Sequence, residues 1–237
     1  MQITSADNEK LKTIKRLSQR KHRDREGLFV SEGEDLLEAG RAAGHAPVFA
    51  LVAPDTKLEG IECSEELLAQ VSALGSGTRA IAVWETLDPG PLEAPCVYLH
   101  GVGDPGNVGT IVRTAAALTG GTVVLGSGSA DPFSPKAVRA SMGAVFATPP
   151  TRLRSLDELP SPRIGLVAHG GGAPEGLIGA GTLCLGAERE GLPDEVTDVC
   201  EKLVTIPIKS GGAAESLNVG AAAAIALHTM ASGEINA

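Results

Sequence analysis

Three stretches of this chain place polar side chains where an apolar run gives way to a glycine-rich turn and a helix start. The first is His100-Gly101-Val102-Gly103-Asp104-Pro105-Gly106-Asn107-Val108-Gly109-Thr110-Ile111-Val112-Arg113. Its glycines and Pro105 bring main chain close to whatever binds there. Asn107 stands near the helix start, where capping is the ordinary use of asparagine, and a solvated surface position is the ordinary use of Arg113. The second is Leu183-Cys184-Leu185-Gly186-Ala187-Glu188-Arg189-Glu190-Gly191-Leu192-Pro193, a strand ending in an acidic loop. The third runs from Val204-Thr205-Ile206-Pro207 through Lys209-Ser210-Gly211-Gly212 to Glu215-Ser216-Leu217-Asn218-Val219-Gly220, with Ser216 as the expected cap of an alanine-rich helix. Gly101, Gly103 and Gly106 match GxGxxG, but Asp104-Pro105 disturbs the turn and no acid follows about 20 positions on, so a dinucleotide loop is a poor fit. A P-loop lysine, a Ser-His-Asp set and metal-ligand spacing are all absent.

The elements that must hold these stretches alternate in type. Cys96–Leu99, Thr122–Leu125, Ile164–Ala168, Thr182–Leu185 and Leu203–Ile206 are apolar runs bounded by turn residues. Helical patterns lie between them at Gly109–Leu118, Pro135–Val145 and Ser216–Met230. Uninterrupted apolar strands alternating with helices predict a mainly parallel sheet covered on both faces, binding ligands at the carboxyl ends of its strands. Thr86 to Pro95, with three prolines and a glycine, cannot continue a helix or a central strand, so a linker is placed at residues 87–95.

Before the linker the pattern is a smaller α/β unit. Leu11, Ile14 and Leu17 form a helical stripe within Asn8–Arg25, and Gly27 interrupts it. Leu28-Phe29-Val30 reads as a strand. Ser31 with Glu34 reads as a capping box for a helix closed by Gly44. Val48–Val52, a helix capped by Ser64 and Arg79–Trp84 complete the unit. The expected organisation is a basic N-terminal arm (1–26), a small domain (27–86), the linker and a larger domain (96–237).

Charge is unevenly spread. The chain carries −9, yet residues 1–26 hold eight Lys or Arg against four acids. That basic segment can track phosphates from an otherwise acidic body, or serve as a solvated helix face. Cys63, Cys96, Cys184 and Cys200 form no CxxC pair and read as free thiols of a reducing cytoplasm. No run of about 18 apolar residues predicts a membrane span.

Taken in order, the motifs D-P-x-N-x-G-x-x-x-R, L-G-x-E-x-x-G-L and I-P-x…S-L-N-V resemble those of the SpoU/TrmH branch of the SPOUT RNA methyltransferases. Asp131-Pro132-Phe133-Ser134-Pro135-Lys136-Ala137-Val138-Arg139-Ala140-Ser141-Met142-Gly143 is similar to a stretch common in that branch. Phe29-Val30-Ser31-Glu32-Gly33 resembles the start of its L30e-like substrate-binding domain. Two positions depart from the pattern. Ala187 stands where asparagine is common, and the Lys209-to-Glu215 loop is about two residues longer.

The resemblance implies an α/β fold. A C-terminal SPOUT domain, a mainly parallel sheet with a deep trefoil knot, follows a small L30e-like α/β domain. It implies S-adenosylmethionine as cofactor, a homodimer formed through the SPOUT domain, and methylation of a ribose 2′-hydroxyl in RNA, with rRNA ahead of tRNA. Carried onto this sequence, the cofactor residues are Val167, Ala168, His169, Gly170, Gly186, Glu188, Gly191, Ile206 and Leu217. Arg113 is the central catalytic residue, acting on the hydroxyl as stabiliser or base. Asn107 holds Arg113 or the ribose, Glu188 orients Arg113, and Ser216 and Asn218 fix the hydroxyl or a neighbouring phosphate. Arg139 contacts RNA together with Lys12, Lys15, Arg16, Arg20, Lys21 and Arg23. A non-catalytic SPOUT-like RNA-binding protein and a nucleotide-binding α/β enzyme of another type are the alternatives.

Overall fold

The computed structural model describes residues 2–73, 75, 77–209 and 216–235. In chain order the first elements are β1 (Gln2–Ile3), α1 (Glu9–Leu17), α2 (Arg20–Glu26), β2 (Leu28–Glu32), α3 (Glu34–Ala42), β3 (Phe49–Val52), β4 (Ile61–Cys63), α4 (Glu65–Val71) and β5 (Ala80–Glu85). There follow β6 (Cys96–Leu99), α5 (Pro105–Leu118), β7 (Thr122–Leu125), α6 (Pro135–Ser141) and α7 (Ala144–Ala147). The chain then runs through β8 (Arg163–Leu166), β9 (Thr182–Leu185), α8 (Asp194–Thr197), β10 (Lys202–Val204) and α9 (Val219–Ile235). These form two compact units. One is the chain up to Asp88 with Asp131–Ala147; the other is Pro89–Ala130 with the chain from Thr148 onward.

The first unit is a mixed sheet in the order β1-β4-β3-β5-β2. Period-two alternation sends successive side chains to opposite faces. Val30, Leu51, Ile81 and Val83 meet Leu11, Ile14 and Leu17 of α1 and Leu68 of α4. On the other face Phe29, Ala50, Val52 and Trp84 meet Leu36 and Leu37 of α3. The segment 131–147, which the sequence reading assigns to the larger domain, completes this second face. Phe133 packs at 4.9 Å from the Phe29 ring and Phe146 at 4.7 Å from Trp84, pairings that aromatic rings favour.

Local chemistry explains the departures here. The expected single helix over Asn8–Arg25 is broken after Leu17. Arg23 turns back and donates through Nη1 to the carbonyls of Leu17 (2.7 Å) and Ser18 (2.9 Å), capping the end of α1. Its Nε and Nη2 donate to Asp131 at 2.8 and 2.6 Å. Arg23 is 6% exposed, so its expected role as an RNA contact is corrected to a structural one. Ser31 caps nothing. It lies within β2, and its hydroxyl accepts from Trp84 Nε1 at 2.9 Å, leaving Gly33 at the start of α3.

The basic segment is likewise no detached arm, because α1 buries three of its side chains in the core. Much of its charge is matched internally: Lys12 by Asp7 and Glu9, Arg16 and Arg25 by Glu26, and Arg20 by Asp24. Lys15 and Lys21 stay exposed. Arg139 in α6 donates to both carboxylate oxygens of Asp35, at 2.8 and 2.9 Å, with its side chain 44% exposed.

The second unit is a fully parallel sheet in the order β10-β8-β9-β6-β7. Leu99 of β6 stands in register with Leu125 of β7 and Leu185 of β9, so these strands end together on one edge. The strands at Cys96–Leu99, Thr122–Leu125 and Thr182–Leu185 coincide with their apolar runs. α5 begins earlier than expected because Asp104 caps it, accepting from the Asn107 N–H at 3.0 Å, with Pro105 at its first position. Among the described residues no helix is long and apolar enough to cross a membrane.

Replacing Arg23 by alanine strands the Asp131 carboxylate and two carbonyls, which should cost about 3 kcal/mol. Lys15→Ala should stay within about 0.5 kcal/mol of wild type. Urea denaturation followed by the fluorescence of Trp84, the single tryptophan and buried in this unit, reads both. Equal midpoints for the two variants would refute the capping role.

Candidate active site

The carboxyl edge of the parallel sheet gathers the three stretches picked out above. The Asn218 side-chain oxygen accepts from the N–H groups of Gly220 (2.9 Å) and Ala221 (3.3 Å), two of the donors in the first turn of α9. This makes Asn218, and not the expected Ser216, the cap. With its oxygen so engaged, Asn218 Nδ2 donates to Asn107 Oδ1 at 3.2 Å. Asn107 Nδ2 in turn donates to Glu188 Oε1 at 2.8 Å. Three segments far apart in sequence are thereby joined through a single run of hydrogen bonds. Glu188 meets Asn107 where the sequence reading expected Arg113. Arg113 is exposed on α5, and its side chain has no hydrogen bond or ion pair among the described residues.

Beside this run lies a cleft of 330 Å³, within the size range of small-molecule sites. Val167 and Ala168 after β8 line it, with Gly186, Glu188 and Gly191 after β9, Ile206 after β10, and Ser216 and Leu217 before α9. All of these were marked in the sequence. His169 and Gly170 were also marked but are exposed and do not line it. Sequence reasoning missed Leu192, Ile208 and Ala222. Ala222 lies four residues past Asn218, one helical turn along the same face, and that spacing was the available signal.

The glycines here have separate reasons. A Cβ on Gly186 would run into the backbone of Gly191 and Leu192, where the loop closes on itself through paired Ala187 and Gly191 amides and carbonyls at 3.0 and 3.1 Å. A Cβ on Gly171 would meet the backbone of Val204 and Thr205, so this glycine lets two chain segments pass closely. The methyl of Ala187 sits against Gly101, whose φ is +70°. Of the Lys209-to-Glu215 loop, residues 210–215 lie outside the described residues.

The chemistry of the edge is that of amides, the carboxylates of Glu188 and Glu190 and the guanidinium groups of Arg189 and Arg113, set around apolar cleft walls. Two buried thiols beneath it are held in their neutral form. A hydrogen bond to Cys200, together with burial, pushes the Cys184 thiol up, and burial does the same to Cys96. The arrangement can orient a hydroxyl and stabilise negative charge that develops on its oxygen.

Known proteins share this architecture. The 23S rRNA (guanosine(2553)-2′-O)-methyltransferase RlmP of Bacillus subtilis is 34% identical over 96% of this chain and 98% of its own. The structure of a putative RNA methyltransferase of the TrmH family from Porphyromonas gingivalis superposes with a TM-score of 0.79 at 31% identity, covering 96% of this chain and 98% of that one. An AdoMet-bound rRNA methyltransferase from Sinorhizobium meliloti superposes at 0.81 with 28% identity, covering 97% and 96%. Residues 8–82 match the MRM3-like substrate binding domain. Residues 94–228, more than half of the chain and all three stretches of the site, match the SpoU rRNA Methylase family, and to that family the chain belongs.

Proposed function

We propose that this protein transfers the methyl group of S-adenosylmethionine to a ribose 2′-hydroxyl of RNA, with ribosomal RNA the substrate ahead of tRNA. The observation that carries the reading is the Asn218–Asn107–Glu188 run at the lip of an apolar cleft, with Arg113 unpaired on the same helix as Asn107. The names of the relatives agree with it. When bound, S-adenosylmethionine supplies an electrophilic methyl carbon on its sulfonium sulfur. The cleft fits such a group. Its walls at Val167, Ile206, Leu217 and Ala222 are apolar, and the turns after three strands offer main-chain donors and acceptors for a neutral purine edge.

Arg113 stabilises the negative charge that grows on the ribose oxygen as its proton passes to solvent water, and its planar fork fixes the direction of the hydroxyl. A guanidinium holds its proton tightly and is a poor resident base, so stabilisation is its main part. Glu188 and Asn218 hold Asn107, which presents the first turn of α5 to the substrate.

The functional unit is a homodimer. Thr110, Arg113 and Ala117 on α5, and Ala221 and Ile225 on α9, are exposed at helical spacing, and a second copy covering them would enclose Arg113. The chain from about Thr182 to Met230 forms a trefoil knot, a reading supported by the close passage at Gly171. The substrate-binding domain docks RNA through exposed Lys15, Lys21 and Arg139, and the protein works in the cytoplasm. The alternative, an RNA-binding protein without catalysis, is disfavoured by the joint presence of Asn107, Arg113, Glu188 and Asn218.

Arg113→Ala should lower the single-turnover methylation rate by at least about 100-fold, some 2.7 kcal/mol, while S-adenosylmethionine binding by calorimetry survives. Arg113→Lys should rescue little, because a point charge cannot copy the fork. A folded Arg113→Ala protein methylating near the wild-type rate would assign activation to another residue.

Ala222→Leu keeps a good helix former but fills the floor of the cleft. It should weaken S-adenosylmethionine at least about tenfold, with RNA affinity unmoved; equal cofactor affinity would place the cofactor elsewhere.

A further inference from the structure

A second cavity, of 210 Å³, lies on the same carboxyl edge of the parallel sheet, at the β7 end. Its floor is Tyr98, Leu125 and Gly126, and its rim carries Arg152, Arg154 and Ser127. The chain reaches it by an extra parallel bridge outside β7. Thr151 pairs with Val124, accepting from the Leu125 N–H and donating its own N–H to Val123, both within 3.0 Å. The next residues alternate. Leu153 turns inward to the apolar cluster around Tyr98, and Arg152 and Arg154 on either side of it are exposed. The two arginines are thus brought together by an anchored strand extension.

The floor is fixed as firmly as the rim. Tyr98 is 4% exposed, and a Cβ on Gly126 would run into its hydroxyl, so glycine is what lets the ring reach this far. The hydroxyl meets His100 Nδ1 at 3.2 Å, which links the cavity to the residue that opens the first site motif. Two of the nearby acids are engaged locally, and a third, Glu195, lies near enough to Tyr98 to add to burial and Cys184 in pushing its hydroxyl pKa up. Glu158 accepts from the backbone N–H groups of Arg154 and Ser155, and Asp157 from the Ser155 hydroxyl. The Arg154 guanidinium itself has no hydrogen bond or ion pair among the described residues, and no carboxylate lines the cavity.

From this we infer that the cavity binds a backbone phosphate of the substrate RNA, next to the nucleotide being methylated, with Arg154 as its principal ligand and Arg152 as the second. The inference rests on the proposed RNA methyltransferase activity. Along the sheet edge the cofactor cleft lies at β10, β8 and β9, the asparagine–glutamate run between β9 and α5, and the arginine cavity beyond β6 at β7. An RNA strand laid along that edge passes from the asparagine–glutamate run toward the arginines. Guanidinium forks suit phosphate oxygens, and the contact fixes register without reading sequence.

The test uses the full-length protein, unmodified 23S rRNA transcribed in vitro, and binding measured from low to moderate KCl. Arg154→Ala should weaken RNA binding about tenfold and flatten the plot of log affinity against log salt by about 0.7. Adding Arg152→Ala should flatten it further, and KM for RNA should rise in step. Arg154→Lys, which keeps the charge, should restore most of the slope. Calorimetric affinity for S-adenosylmethionine should be unchanged in every variant, which also certifies that the second unit is folded. A double variant with wild-type affinity and slope, in a preparation whose wild type methylates this RNA, overturns the phosphate site alone. Weaker binding with an unchanged slope also overturns it, because the cavity would then act without neutralising charge. A wild-type protein that neither binds nor methylates RNA overturns both this inference and the function on which it rests.

Discussion

A helix begins with N–H groups that need acceptors, and at α9 that requirement is met by one side-chain oxygen of Asn218. The choice leaves the Asn218 amide only its NH₂ to offer outward. Asn107 must then accept through its own oxygen and donate onward, so the next partner has to be an acceptor. Glu188, a carboxylate with nothing but acceptor sites, ends the run. The direction of every bond between the knob of α9 and the loop after β9 is therefore dictated by the polarity of one helix terminus. Replacing either asparagine by an isosteric leucine, or Glu188 by a cation, would set donor against donor or leave an amide unpaired.

The sheet supplies the frame for that run. Because all strands of the second unit point the same way, every strand delivers its following loop to one edge. The central strands β6 and β9 are buried along their whole length, so most polar function falls to the turns that follow the strands. The turns divide the labour: those after β8, β9 and β10 enclose an apolar cleft, and α5 after β6 brings the amide and guanidinium. The acidic character of the whole chain does not by itself repel a polyanion everywhere, because exposed cations are grouped locally, at this edge and on the first unit.

Legibility in the sequence followed the range of the interactions. Strands β6, β7 and β9 were read to the residue because continuous burial and turn punctuation are local signals. β1 and β4, of two and three residues, carry too little pattern and went unseen. Ser31 has the spacing of a cap, yet its hydroxyl belongs to Trp84, 53 residues away. Arg23 has the spacing of an exposed helical arginine, yet Asp131, 108 residues on, claims it. The same limit holds at the site. The motifs exposed Asn107, Glu188 and Asn218, but which of them touch depends on reach across the fold, and Glu188 went to Asn107 instead of Arg113. Gly170 was marked for ligand approach because a glycine cluster has one appearance in sequence and several physical causes.

The first unit is discontinuous: its second sheet face is finished by Phe133, Val138, Val145 and Phe146, which arrive only after the chain has left to make β6, α5 and β7. During synthesis the amino-terminal half of a chain ordinarily folds as it emerges from the ribosome. Here Phe29 and Trp84 lack their aromatic neighbours until residue 146 has been added, some 60 residues after β5 is complete. The nascent chain thus carries an open apolar face through the production of the whole of the first site motif. A gene fragment ending at the linker would encode that open state permanently, and the two units are inherited as one folding problem.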